Sequence, residues 1–154
     1  MKLNLFALNE ENLASELVPF LDAWQKEIDA SEPIFNIKGS RLEGLARDVP
    51  QHQARFAGFA QDTKAVVKWL EVLKAKAESK YTRNYNNSPR ALGVREQSLY
   101  IQGERDIIDL NQLIVEVALK QQHFDEIVDA IKQMAWMIGN ITKLRVAELQ
   151  DVIL

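Results

Sequence analysis

The sequence predicts an all-α fold, built from long helices paired as a hairpin or bundle with coiled-coil character. Three observations carry that expectation. Apolar residues recur at spacings of three and four through two very long stretches. Only 6 Gly and 4 Pro are present, too few for the tight turns of a β-sandwich or a βα-rich enzyme. No Cys is present, which removes disulfides, thiolate metal sites and cysteine nucleophiles. With 154 residues, 47% hydrophobic and 27% charged, the chain suits one foldable domain, or one domain plus an arm.

The first element is an amphipathic helix over residues 10–28. Asn9 is its candidate cap, Glu10 and Glu11 suit its N-terminus, and Leu13, Leu17, Phe20, Leu21 and Trp24 recur at helical spacing. Pro19 falls inside it and is expected to kink or split it. Residues 30–49, with Pro33, Gly39 and Gly44, read as a connector with a short strand or turn at Ile34–Ile37.

A regular pattern begins at Pro50, a residue suited to a first helical turn, with Asp48 as the cap. Phe56, Thr63, Leu70 and Ala77 alternate with Phe59, Val66, Leu73 and Lys80, close to a heptad. The run continues to Tyr85, where Asn86-Asn87-Ser88-Pro89 stops it, giving a helix about 50 Å long. Residues 86–105 read as irregular, with Ser98-Leu99-Tyr100-Ile101 as a short extended piece. Asp106 then opens the longest segment. Leu110, Leu113/Ile114, Val117, Gln121, Phe124, Val128, Ile131, Ala135, Ile138, Thr142, Arg145 and Leu149 hold a three-four repeat nearly to the end of the chain. One hairpin of such helices leaves apolar stripe uncovered, so self-association is expected, with Gln121, Thr142 and Arg145 setting its register.

Charge is unevenly placed. Residues 1–63 carry 6 Lys/Arg against 10 Asp/Glu, and residues 96–154 carry 5 against 10. Between them, Lys64, Lys68, Lys74, Lys76, Lys80, Arg83, Arg90 and Arg95 face only Glu71 and Glu78. Such a run is either a solvated helix face or the footprint of an anionic polymer. At 100° per residue, Lys64, Lys68, Lys76, Lys80 and Arg83 occupy an arc of roughly 160° opposite the Phe59–Leu70–Ala77 stripe, and Trp69 lies within that arc. Interleaved rings and cations suit single-stranded nucleic acid, where charge follows the phosphates and the ring stacks on unpaired bases. The alternative for Trp69 is burial under a neighbouring helix or subunit. Lys74 lies nearer the apolar stripe, and either snorkels or faces an assembly interior. Trp136 is a second aromatic off its stripe; in an acidic segment it suits a protein partner, or burial, better than a phosphate backbone.

Nothing in the sequence nominates a reaction. His52 and His123 stand alone, without the Glu-x-x-His pair of a di-iron bundle, so no metal or cofactor is expected. There is no phosphate-binding glycine loop and no nucleophile elbow. Asp125, Glu126 and Asp129 beside Lys132 read as helix-surface ion pairing. No apolar run approaches the roughly 18 residues of a membrane span, and no leader pattern opens the chain, so a cytoplasmic protein without membrane contact is expected.

Four stretches carry a resemblance to a known family. They are Asp48-Val49-Pro50-Gln51-His52-Gln53-Ala54-Arg55-Phe56, then Leu73-Lys74-Ala75-Lys76 running into Tyr81, then Asp106-Ile107, and finally Glu126-Ile127-Val128-Asp129-Ala130-Ile131-Lys132 with Ile138-Gly139-Asn140-Ile141 and Arg145. In this order they resemble the UvsY-type recombination mediators of tailed bacteriophages, over about residues 37–148. The paired tyrosines and Gly of that family are here Tyr81, Arg83 and Tyr85 leading to Asn86, and an arginine near Met134–Trp136 and a closing Gly are absent. The resemblance implies a non-enzymatic, helical, ring-forming oligomer that binds single-stranded DNA, contacts the phage single-strand-binding protein and helps the phage recombinase form its filament in the host cytoplasm. It places DNA contacts at Lys74 and Lys76, to which the charge pattern adds Lys68, Trp69, Lys80 and Arg83. It places the oligomer interface at Ile127, Val128, Ile131, Ile138 and Ile141. The organisation expected is an N-terminal helical arm over 1–36 and a DNA-binding and oligomerisation domain over 37–154. The competing reading is a coiled-coil scaffold with no nucleic-acid role, its basic face meeting an acidic partner.

Overall fold

The computed structural model describes residues 13–36, 41–87 and 92–151. They are all-α: α1 (Leu13–Asp29), a short 3₁₀ turn (Glu32–Phe35), α2 (Leu42–Asn86), α3 (Val94–Gly103) and α4 (Arg105–Asp151). The cap expected at Asn9, Ile37, the Ser88-Pro89 stop and Arg90 lie outside the described residues, as does the side chain of Leu149.

Two local expectations are corrected and two are narrowed. Of the kink or split expected at Pro19, the split does not occur, since α1 runs unbroken through it. Of the strand or turn expected at Ile34–Ile37, residues 34–36 take the turn: the backbone N–H groups of Ile34 and Asn36 bond the carbonyls of Ser31 and Pro33, three residues back, at 3.0 and 3.2 Å. The Ser31 hydroxyl, itself buried, donates to the Ile28 carbonyl at 2.7 Å and ties the turn to the end of α1. α2 starts at Leu42, so Pro50 and Asp48 lie inside it rather than at its N-terminus. Leu42, Leu45, Val49 and Phe56 continue one helical spacing across the proline, and burial of Val49 and Phe56 holds that stretch helical.

The second correction is α3, a ten-residue helix where an extended piece is expected. Its only buried residue is Ile101, so polar contacts hold it. Gln97 Nε2 donates to the Thr82 carbonyl at 3.0 Å and to Asn86 Oδ1 at 3.1 Å. Glu104, extended between α3 and α4, accepts from the Tyr85 hydroxyl at 2.6 Å, and Asp106 accepts from Tyr81 at 2.7 Å.

Packing divides the chain into two units, with the divisions falling inside α1, α2 and α4. One unit holds the chain up to Leu21 with Asp62–Lys120. Its core is Leu13, Leu17, Phe20 and Leu21 of α1, Val66, Leu70, Leu73 and Ala77 of α2, and Ile107, Leu110 and Val117 of α4. Thr63 is buried in the same α2 stripe, as the heptad spacing places it. The other unit holds Asp22–Gln61 with the chain from Gln121 onward. Here Phe124 stacks on Phe59 with ring centroids 5.2 Å apart and meets Phe56 at 6.3 Å. Trp24, Val49, Ile127, Val128, Ile131, Met134 and Ile138 are buried in this unit. Arg55 pairs with Glu27 and lies 5.9 Å from the Phe56 ring centroid. The α4 seam follows the expected spacing through Ile138, whereas Thr142 and Arg145 are exposed.

Candidate nucleic-acid interface

The α2 segment of the first unit sorts its side chains by angle. Taking buried Leu70 as the inward pole, Lys68, Lys76 and Arg83 fall within about 60° of the opposite pole, and all three are exposed. Val72, 52% exposed, sits among them. From Lys68 to Arg83 the row extends about 22 Å along the helix axis. Lys64 and Lys80 flank it, also exposed. None of these five cations forms an ion pair among the described residues, so their charge is available to an anion.

Lys74 belongs to a different face. Two residues from Lys76, it is turned about 160° away, toward the core side. It is half-buried, and its Nζ lies 3.8 Å from Glu78 Oε1. The structure therefore does not bring Lys74 and Lys76 together on one face. Trp69 sits between Lys76 and Lys80 in projection and is half-buried.

At the C-terminal end of α2, Tyr81 and Tyr85 turn away from Arg83 toward the α3–α4 junction. Their hydroxyls donate to Asp106 and Glu104, which remain charged. The hydrogen bond to Glu104 first, and desolvation by burial second, hold the Tyr85 phenol above its ordinary pKa. Tyr100 pairs with Tyr85 at 6.1 Å between centroids and is itself exposed, and Arg95 is exposed on α3. Sequence reasoning missed Gln97 and Glu104 because neither signals its role without the partner helix.

In α4, Ile127, Val128, Ile131 and Ile138 are buried within the single chain, and Ile141 is half-buried. The apolar side chains left exposed nearby are Trp136, Met137, Leu144 and Val146. Met137, Ile141 and Leu144 share a second stripe, offset from the buried seam; the signal for it is their own four-three spacing. Among the described residues no group of three or more His, Cys, Asp or Glu is arranged to hold a metal, and no helix is long and apolar enough to cross a membrane.

No protein-family model matches the sequence, and no curated protein matches it. The fold is similar to that of the bacteriophage T4 recombination mediator protein UvsY in its crystal structure. The match has a TM-score of 0.67 at 17% identity and covers 83% of this chain and 98% of that one. At that identity the likeness establishes the shared all-α fold.

Proposed function

We propose that this chain is a non-enzymatic recombination mediator that binds single-stranded DNA through the exposed face of α2. In this role it promotes loading of a phage recombinase onto strands covered by single-strand-binding protein, in the host cytoplasm. The observation that carries the reading is the unpaired row Lys68, Lys76 and Arg83 opposite the core, flanked by Lys80 and the half-buried Trp69. The fold likeness to a protein that bears the name recombination mediator supports the same role. The cations take the phosphates, Trp69 stacks on a base, and Lys74 contributes through its exchangeable contact with Glu78.

A few cations per protomer bind a strand weakly, and copies joined in a ring gain avidity without new contacts. In that assembly Ile127, Val128, Ile131 and Ile138 set the position of α4 from inside the protomer, while Ile141 with Met137 and Leu144 meets the neighbouring copy. The deciding experiment is fluorescence anisotropy with labelled single-stranded DNA on wild type and on Lys68→Ala/Lys76→Ala. Salt-sensitive binding by wild type that the double variant loses supports the role. No binding by wild type at low salt leaves the scaffold reading in its place. A second arm measures recombinase filament formation on strands precoated with single-strand-binding protein, which the wild-type chain accelerates and the variant does not.

A further inference from the structure

Over residues 130–147, α4 holds Lys132, Lys143 and Arg145 and no Asp or Glu. The acidic residues of 96–154 lie on either side of this stretch, the nearest being Asp129, which shares the face of Trp136 and pairs with Lys132. Trp136 is 70% exposed, the most exposed aromatic side chain among the described residues. Lys132, Gly139 and Lys143 all fall within about 60° of it in projection down the helix. Side chains on a helix lean toward its N-terminus, so the indole covers the turn carrying Lys132. The turn on its other side carries Gly139, where an added Cβ would meet nothing within 4 Å. At 70% exposure the Trp136 side chain is open to solvent.

The charges on this face are unequal. Lys132 Nζ is held by Asp129 at 2.8 Å, whereas Lys143 forms no ion pair among the described residues. The neighbours of Trp136 on its face are Asp129, Lys132, Gln133, Gly139, Asn140 and Lys143, none of which extends an apolar patch around the ring. A protein partner or a second copy needs such a patch, and the apolar stripe Met137–Ile141–Leu144 lies at least 80° further round the helix. A lone open ring between cations fits a base with a phosphate on either side.

We propose that Trp136 is a second base-stacking site for single-stranded nucleic acid, with Lys143 and Lys132 receiving the flanking phosphates. The inference rests on the proposed nucleic-acid role and adds a contact on α4 to the one on α2. Its test uses the full chain and two labelled strands of equal length, an oligothymidylate and an abasic deoxyribose-phosphate strand.

Trp136→Ala is expected to lose at least about fivefold in affinity for the oligothymidylate and to bind the abasic strand as wild type does. Trp136→Phe restores most of the loss, and Lys143→Ala weakens both strands. Because the side chain is exposed, circular dichroism and the scattering mass of Trp136→Ala match wild type. Equal oligothymidylate affinity for Trp136→Ala and wild type overturns the inference while leaving the α2 reading intact. A fall in scattering mass with equal loss on both strands also overturns it, assigning the ring to a contact between copies. If wild type binds neither strand, the nucleic-acid role and this inference fail together.

Discussion

Tyr85 on α2 donates its phenolic hydrogen to Glu104, the single extended residue between α3 and α4, at 2.6 Å. The bond fixes the junction of two helices to the last turn of a third, and the phenol keeps its proton to higher pH because a carboxylate is its acceptor. A phenol with a raised folded-state pKa contributes stability that is fully present below the unfolded pKa, about 10, and is lost as pH rises through the folded value. Alkaline titration followed by tyrosinate absorbance, with Tyr85→Phe as the subtraction, is expected to show Tyr85 losing its proton above its ordinary range. In Glu104→Gln that phenol returns toward the ordinary range. A Tyr85 midpoint unmoved by Glu104→Gln would refute the link.

On α2, Lys76 and Lys74 are expected to behave differently although they are nearly adjacent. Lys76→Ala removes an unpaired cation from the exposed row and lowers the slope of log affinity against log salt by about 0.7 on single strands. Lys74→Ala removes a charge already half-spent on Glu78 and has less than half that effect. Equal slopes for the two variants would place the strand across both faces and sink the single-row geometry.

Two substitutions in α4 separate folding from assembly. Ile131 is fully buried, so Ile131→Asp puts an unpaired carboxylate in the core and collapses the denaturation midpoint. Leu144 is 64% exposed, so Leu144→Asp holds stability within about 0.5 kcal/mol while reducing the mass measured by light scattering. An unchanged mass in Leu144→Asp would exclude the Met137–Ile141–Leu144 stripe as the contact between copies.

Phe124 carries the aromatic cluster of the second unit, touching both Phe56 and Phe59. Phe124→Ala is expected to cost about 3–5 kcal/mol in urea denaturation, as a large ring leaves a cavity that helices collapse only in part. Phe124→Leu retains most of the volume and is expected to cost less than half as much. A loss below about 1 kcal/mol for Phe124→Ala would mean the site is not the packed core described here.

The long seams of α2 and α4 were legible because a 3.6-residue period needs no knowledge of the partner helix. Phe56, Thr63, Leu70 and Ala77 are buried as their spacing requires. At α3 and at Pro50 the local signal was overruled by packing or by a contact made at a distance in the chain. Ser98-Leu99-Tyr100-Ile101 has the residue types of a strand, yet Gln97 and Glu104 hold it helical through Thr82, Asn86 and Tyr85. Pro50 looked like a beginning because prolines favour first turns, while burial of Val49 on one side and Phe56 on the other carries α2 past it. At the candidate interface, the cations could be found from charge alone. The half-burial of Trp69 and the exposure of Trp136 could not, since both depend on what packs beside them.

The second unit is also a statement about timing. Its two pieces, Asp22–Gln61 and the chain from Gln121 onward, are separated by the Asp62–Lys120 segment of the first unit. On the ribosome, Phe56 emerges long before the ring that will cover it, and Phe124 appears only after α3 and the first half of α4 have been made. The first unit draws most of its core from the contiguous segment Asp62–Lys120 and can close early. A nascent chain halted near Lys120 therefore presents a finished hairpin beside wet aromatic side chains, the kind of surface that general chaperones hold. Completion of the fold then waits on the last helix to be translated.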